Sequence, residues 1–146
     1  MSTSLTKTKY QKNNSPFATF NFQLKYMVQS LPRQETITQW TDICALEDIF
    51  PNTGVCALVN EQQIAIYRVV INGEDKVYAL NNYDPFSKAN VLSRGIIGDR
   101  QGVVKVASPI YKQNFSLETG ECLDNPEVKV ATYPIQLVDG RIQVSA

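Results

Sequence analysis

The stretch Ile135-Gln136-Leu137-Val138-Asp139-Gly140-Arg141-Ile142-Gln143-Val144 constrains the fold more than any other in the chain. Asp-Gly favours the two-residue turn in which both central residues take positive φ, and that turn joins antiparallel strands. It pairs Leu137 with Ile142, Gln136 with Gln143 and Ile135 with Val144, so apolar meets apolar and polar meets polar. Turn chemistry and register agree independently, which makes the case for antiparallel β structure.

The same grammar runs back to about Gln39. Short β-rich runs alternate with turn residues, as in an all-β domain. Trp40 to Cys44 predicts a strand; Ala45 to Phe50 predicts a turn or one helical winding before the breakers Pro51-Asn52-Thr53-Gly54. Val55 to Val59 and Gln63 to Ile71 predict a hairpin across Asn60-Glu61-Gln62, and Asn72-Gly73 turns the chain into a strand at Val77 to Leu80. Trp40, Tyr67 and Tyr78 fall on strand positions and are expected in the core or at its edge. Asn81 to Gly102 reads as a long polar loop, and loops of that length inside a compact domain tend to be functional. Val103 to Ala107 and Asn114 to Leu117 predict two more strands, the latter turning through Glu118 to Glu121.

The absence of histidine from all 146 residues removes more chemistry than any other compositional fact. It excludes Ser-His-Asp and Cys-His nucleophiles, His-ligated zinc or iron, and His-based proton transfer near neutrality. Cys44, Cys56 and Cys122 show no Cys-x-x-Cys spacing and are odd in number, so reduced, buried thiols and a cytoplasmic setting are expected. No G-x-G-x-x-G or G-x-x-x-x-G-K fingerprint for a nucleotide is present. No apolar run approaches the length of a membrane span. Formal net charge is zero, which argues against a nucleic-acid binder. The charge is unevenly spread: Lys7, Lys9, Lys12, Lys25 and Arg33 face one acid, Glu35, and the remainder holds nine basic and thirteen acidic residues. The expected organisation is a polar, basic arm at 1–36 and one β-domain at 37–146.

Two x-Pro turns, each following a strand, carry the candidate site: Asp84-Pro85-Phe86 and Ser108-Pro109-Ile110-Tyr111. Proline fixes φ and removes a donor, so both turns also serve purely structural ends. Ser108 as a nucleophile would need an activating base, and Lys88 and Lys112 are the bases these loops offer. Asp84 reads more simply as a turn-former whose carboxylate accepts backbone hydrogen bonds. Phe86 and Tyr111 are expected to fill space between the loops. Lys88, Asn90, Arg94, Lys112 and Gln113 are the candidate tip residues for contact with a partner.

The frame Asn82-Tyr83-Asp84-Pro85-Phe86 with Val91-Leu92-Ser93-Arg94-Gly95, then Ala107-Ser108-Pro109 with Phe115-Ser116-Leu117-Glu118-Thr119-Gly120, resembles the Rieske family. In that family one loop carries Cys-x-His and the other Cys-x-x-His. Asp84, Phe86, Ser108 and Tyr111 stand in the four ligand positions, and a Rieske cluster needs two thiolates and two imidazoles. The two loop motifs, in order and over about residues 37 to 146, are similar to the small subunits of assimilatory NAD(P)H-dependent nitrite reductase. The resemblance implies a Rieske-like antiparallel β-sandwich without an iron-sulfur cluster, plus an N-terminal extension. It further implies no cofactor in this chain, and a cytoplasmic large-subunit partner that holds FAD, an iron-sulfur cluster and siroheme and reduces nitrite to ammonia. An adaptor serving another oxidoreductase, such as an oxygenase, and a Rieske-type ferredoxin with unusual ligands are the alternatives.

Overall fold

The structure is a computed structural model that describes residues 38–146; the arm at 1–36 lies outside the described residues. Strands β1 (Thr41–Ala45), β2 (Thr53–Val59), β3 (Gln62–Ile71) and β4 (Glu74–Asn81) lead to the short pair β5 (Tyr83–Asp84) and β6 (Ala89–Asn90). Then come β7 (Ile96–Arg100), β8 (Val103–Ala107), β9 (Asn114–Ser116), β10 (Ile135–Val138) and β11 (Arg141–Val144). Two 3-10 turns, Leu46–Asp48 and Leu92–Arg94, are the helical elements of the described residues.

All strand pairs are antiparallel and build three three-stranded sheets, ordered β1-β11-β10, β2-β3-β4 and β7-β8-β9, beside the pair β5-β6. The terminal hairpin has the expected register, Ile135 with Val144, Gln136 with Gln143 and Leu137 with Ile142. Its turn residues Asp139 and Gly140 have φ of 50° and 75°. Asn60-Glu61 and Asn72-Gly73 make the same kind of positive-φ turn on either side of β3.

The middle sheet is covered on both faces, which explains why β3 does not alternate. Ile64, Ala65, Ile66 and Tyr67 are all buried. Ile64 and Ile66 pack with Ile49, Val59, Ala79, Ile142 and Val144, toward the sheet of the terminal hairpin. Ala65, Tyr67 and Val69 pack with Leu80, Leu92, Val106, Phe115 and Leu117, toward the sheet that bears the loops. A strand with cores on both sides has no solvent face to mark with polar residues. Tyr67 satisfies its buried hydroxyl by donating to the carbonyl of Leu92 at 2.7 Å, which ties the middle sheet to the base of the first loop. Burial pushes that phenol well above its ordinary pKa.

The structure departs from the sequence-based expectations at four places. The stretch Asn81 to Gly102 is not one loop: Ile96–Arg100 is a full strand paired with β8, and Gln101-Gly102 is its tight turn. β4 begins at Glu74 and runs to Asn81, longer than the four residues expected. Trp40 precedes β1 and is 37% exposed, so it lies outside the core. Of the three cysteines, Cys122 is buried, Cys44 is half-buried and Cys56 is exposed, because Cys56 lies on edge strand β2, which has a neighbour on one side alone.

Candidate functional site

The site grows from the base of the first loop, where Asn82 is 2% exposed. Its side-chain oxygen accepts from the Ser93 amide at 2.7 Å, and its backbone carbonyl accepts from Val91 and Leu92 at 2.9 and 3.0 Å. Its side-chain nitrogen donates to Gln63 Oε1 at 3.1 Å and toward Cys56 Sγ at 3.4 Å. One buried amide therefore closes the neck of the loop and fastens it to β2 and β3. Asn82 stands in the loop frame read from the sequence, but no role was expected of it; a polar residue between the apolar end of β4 and an x-Pro turn was the signal available.

Each loop then closes in the same way. The Lys88 amide donates to the Asp84 carbonyl at 2.8 Å, and the Lys112 amide donates to the Ser108 carbonyl at 3.1 Å. Both lysines take left-handed backbone, with φ of 57° and 65°. Asp-Pro-Phe-Ser-Lys and Ser-Pro-Ile-Tyr-Lys are thus two copies of one turn. They are joined at their first residues, where Ser108 Oγ donates to Asp84 Oδ2 at 2.5 Å with both residues fully buried.

Asp84 collects further donors: Ser87 Oγ at 2.8 Å on Oδ2 and the Phe86 amide at 2.9 Å on Oδ1. Desolvation alone would raise its pKa. Hydrogen bonds from Ser108, Ser87 and the backbone outweigh that and hold the carboxyl below the usual carboxylate range. Phe86 packs toward the loop-side core, its ring 6.1 Å from that of Phe115. Tyr111 does not fill the space between the loops, as had been expected; it is 63% exposed at the tip. The second loop is anchored from outside by Asp124, which accepts from the Asn114 amide at 2.7 Å, from its side-chain nitrogen at 2.9 Å and from Arg100 at 2.6 Å. These bonds, the Asn114 amide first, lower the Asp124 pKa.

Of the candidate tip residues, Lys88, Asn90, Arg94 and Lys112 are exposed. Gln113 is not a tip residue: it is half-buried, and its Oε1 is enclosed without a hydrogen-bond partner. Arg94 ends the 3-10 turn and acts electrostatically on Cys56 of β2, where it works against the desolvation that raises the thiol.

These residues do not fit a [2Fe-2S] cluster. The two positions that would offer thiolates hold a carboxylate and a hydroxyl that are engaged with one another, and Phe86 has no lone pair to give. Among the described residues no group of three or more Cys, Asp or Glu is placed to hold a metal ion. Nor can Ser108 serve as a hydrolytic nucleophile: it is buried, and its proton is directed at Asp84. What the arrangement offers is a rigid, paired loop end presenting side chains outward.

A three-sheet antiparallel sandwich with two twinned loops at one end defines a Rieske-like domain whose ligand positions hold the Asp84–Ser108 hydrogen bond, a packed Phe86 and an exposed Tyr111. The profile of the family described as "Rieske-like [2Fe-2S] domain" matches residues 39–145. The small subunit of Escherichia coli K12 nitrite reductase (NADH) is 44% identical over 108 residues, covering 74% of this chain and 98% of that one. A crystal structure from Mycobacterium tuberculosis, assigned as an NADH-dependent nitrite reductase small subunit, superposes with a TM-score of 0.70 at 46% identity, covering 75% of this chain and 96% of that one. The large subunit of Klebsiella oxytoca nitrite reductase [NAD(P)H] is 42% identical over 105 residues, which span 72% of this chain and 11% of that one. The chain belongs to the Rieske-like family and, within it, to the nitrite reductase small subunits.

Proposed function

We propose that this chain is the accessory small subunit of a soluble, cytoplasmic NAD(P)H-dependent nitrite reductase, docking on the large subunit and holding no redox centre of its own. The observation that carries the reading is the 44% identity across 98% of the E. coli small subunit, in a chain whose ligand positions cannot serve a cluster. The Klebsiella large subunit contains a stretch similar to this domain within its own chain, which supports a close association between such a domain and large-subunit chemistry.

In this reading, nitrite reduction and the FAD, iron-sulfur and siroheme groups that the family resemblance implies belong to the partner. This chain contributes a preformed contact surface at the loop end. Lys88, Asn90, Arg94 and Lys112 are its exposed polar candidates, on loops fixed by Asn82, by the Asp84–Ser108 bond and by Asp124. Because the loops are hydrogen-bonded at base and centre, little order remains to be imposed when they meet a partner.

The test is nucleotide-dependent nitrite consumption by the large subunit of the same organism, with this chain titrated in. Activity should rise and saturate near a fixed subunit ratio. A competent large subunit whose activity and stability ignore the chain at every ratio would overturn the reading.

A further inference from the structure

The charge of the two loops is one-sided. Beyond residue 36 the sequence holds nine basic and thirteen acidic residues, yet the two loops present cations and no exposed acid. Asp84, the one acid between residues 81 and 95, is buried, and residues 107–114 contain none. Lys88 and Lys112 occupy the same left-handed backbone position, the fifth residue of each twinned turn. Among the described residues the ion pairs are Arg68–Asp75, Arg100–Asp124 and Arg141–Asp42, none of which uses a lysine. Lys112 Nζ reaches the Pro109 carbonyl at 3.1 Å and is otherwise free for a partner.

The loops that carry these cations also carry apolar surface. Tyr83, Ile110 and Tyr111 are 42%, 46% and 63% exposed on the same loops. Beside the first loop lies a groove of about 270 Å³, walled by Tyr83, Pro85, Val130 and Ala131 and edged by Lys129. Lys129 belongs to a segment distant in sequence, brought there by its bridge to Glu121, an exposed acid opposite it, and by the bond from the Asn81 amide to the Ala131 carbonyl. Exposed aromatic and aliphatic side chains on loops whose exposed charges are cationic suit a protein-binding patch, and the complement of such a patch is apolar with acidic neighbours.

We propose that this loop end docks on an acid-rimmed apolar surface of the nitrite reductase large subunit, with the Tyr83–Pro85–Lys129 groove receiving a protruding side chain from it. The inference rests on the small-subunit reading and adds the chemistry of the opposing surface and a contact region, around Lys129, that the loop motifs do not contain. Charge complementarity selects this occupant: a second copy of the domain would bring cation to cation at the same surface.

The experiment measures the affinity of the full chain for the isolated holo large subunit at about 50 and about 500 mM NaCl, a range over which exposed charge pairs become screened. Wild type should lose about tenfold or more in affinity across that range. The triple variant Lys88→Glu, Lys112→Glu, Lys129→Glu should bind about tenfold or more weakly at low salt, with a flattened salt response. Tyr83→Ala should weaken binding about equally at both salts, and Lys76→Glu, at the exposed start of β4, should bind as wild type. Circular dichroism confirms that each variant is folded. A triple variant that binds like wild type with an unchanged salt response overturns this proposal and leaves the small-subunit reading intact. Wild-type chain that fails to bind the large subunit at either salt overturns that reading, and this one with it.

Discussion

Ser108 is where one side chain decides the behaviour of another. Its hydroxyl is one of several donors that stabilise the Asp84 carboxylate against burial. Ser108→Ala should cost about 1–3 kcal/mol at pH 7, read from urea midpoints, because a buried charge-assisted hydrogen bond is lost. The sign of the pH dependence follows from the depressed pKa. Stability contributed by Asp84 is fully present above its unfolded value, near 3.9 for a free aspartate, and is lost as pH falls through the lower folded value. The gap between wild type and Ser108→Ala should therefore hold from neutrality to about pH 5 and narrow in stronger acid. A gap independent of pH down to acid unfolding would show that the hydroxyl does not act on the ionised carboxylate. Tyr111 teaches the opposite lesson. Its place in the motif suggested a space-filling role, but nothing local in the sequence distinguishes a ring turned inward, as at Phe86, from one left 63% exposed. Pairing between residues 84 and 108 was likewise invisible until the fold joined two loops 24 positions apart.

Among the elements, the hairpins were legible because turn residue and strand register constrain each other, as at Asp139-Gly140 and Asn72-Gly73. β7 was not. Ile96-Ile97-Gly98-Asp99-Arg100 carries a glycine and two charges, and its existence depends on pairing with β8 rather than on local preference. Two glycines separate the reasons a strand or turn needs that residue. At Gly140 a Cβ would meet nothing within 4 Å, but φ is +75°, so Gly140→Ala should cost about 1–2 kcal/mol through backbone strain alone. At Gly54, on β2, a Cβ would come 2.6 Å from the Ser93 carbonyl oxygen and 2.8 Å from the Tyr67 ring. Gly54→Ala should therefore cost about 1–3 kcal/mol by overpacking, since both neighbours are held by the Asn82 and Leu92 contacts. Thermal melts of the two variants test the distinction when each is combined with Tyr67→Phe. That change should leave the Gly140→Ala penalty unaltered and alter the Gly54→Ala penalty, because coupling requires contact.

The molecule as a whole keeps a site's architecture while changing what holds it together. Residues 38–146 contain both cores, and the family profile begins at residue 39. A chain starting at Thr38 should accordingly fold on its own, with a thermal midpoint within a few degrees of the full chain, as far as about 0.5 kcal/mol shifts it. Incubation with an iron chelator should leave the midpoint of either chain unchanged, since no described donor set depends on metal. The bond between Asp84 and Ser108 has a further consequence. Where a cluster joins two loops, the tip is finished only after iron and sulfide have been delivered, and it can be unmade by oxygen. Here the join is encoded in two side chains, so closing the tip and folding the polypeptide are one event.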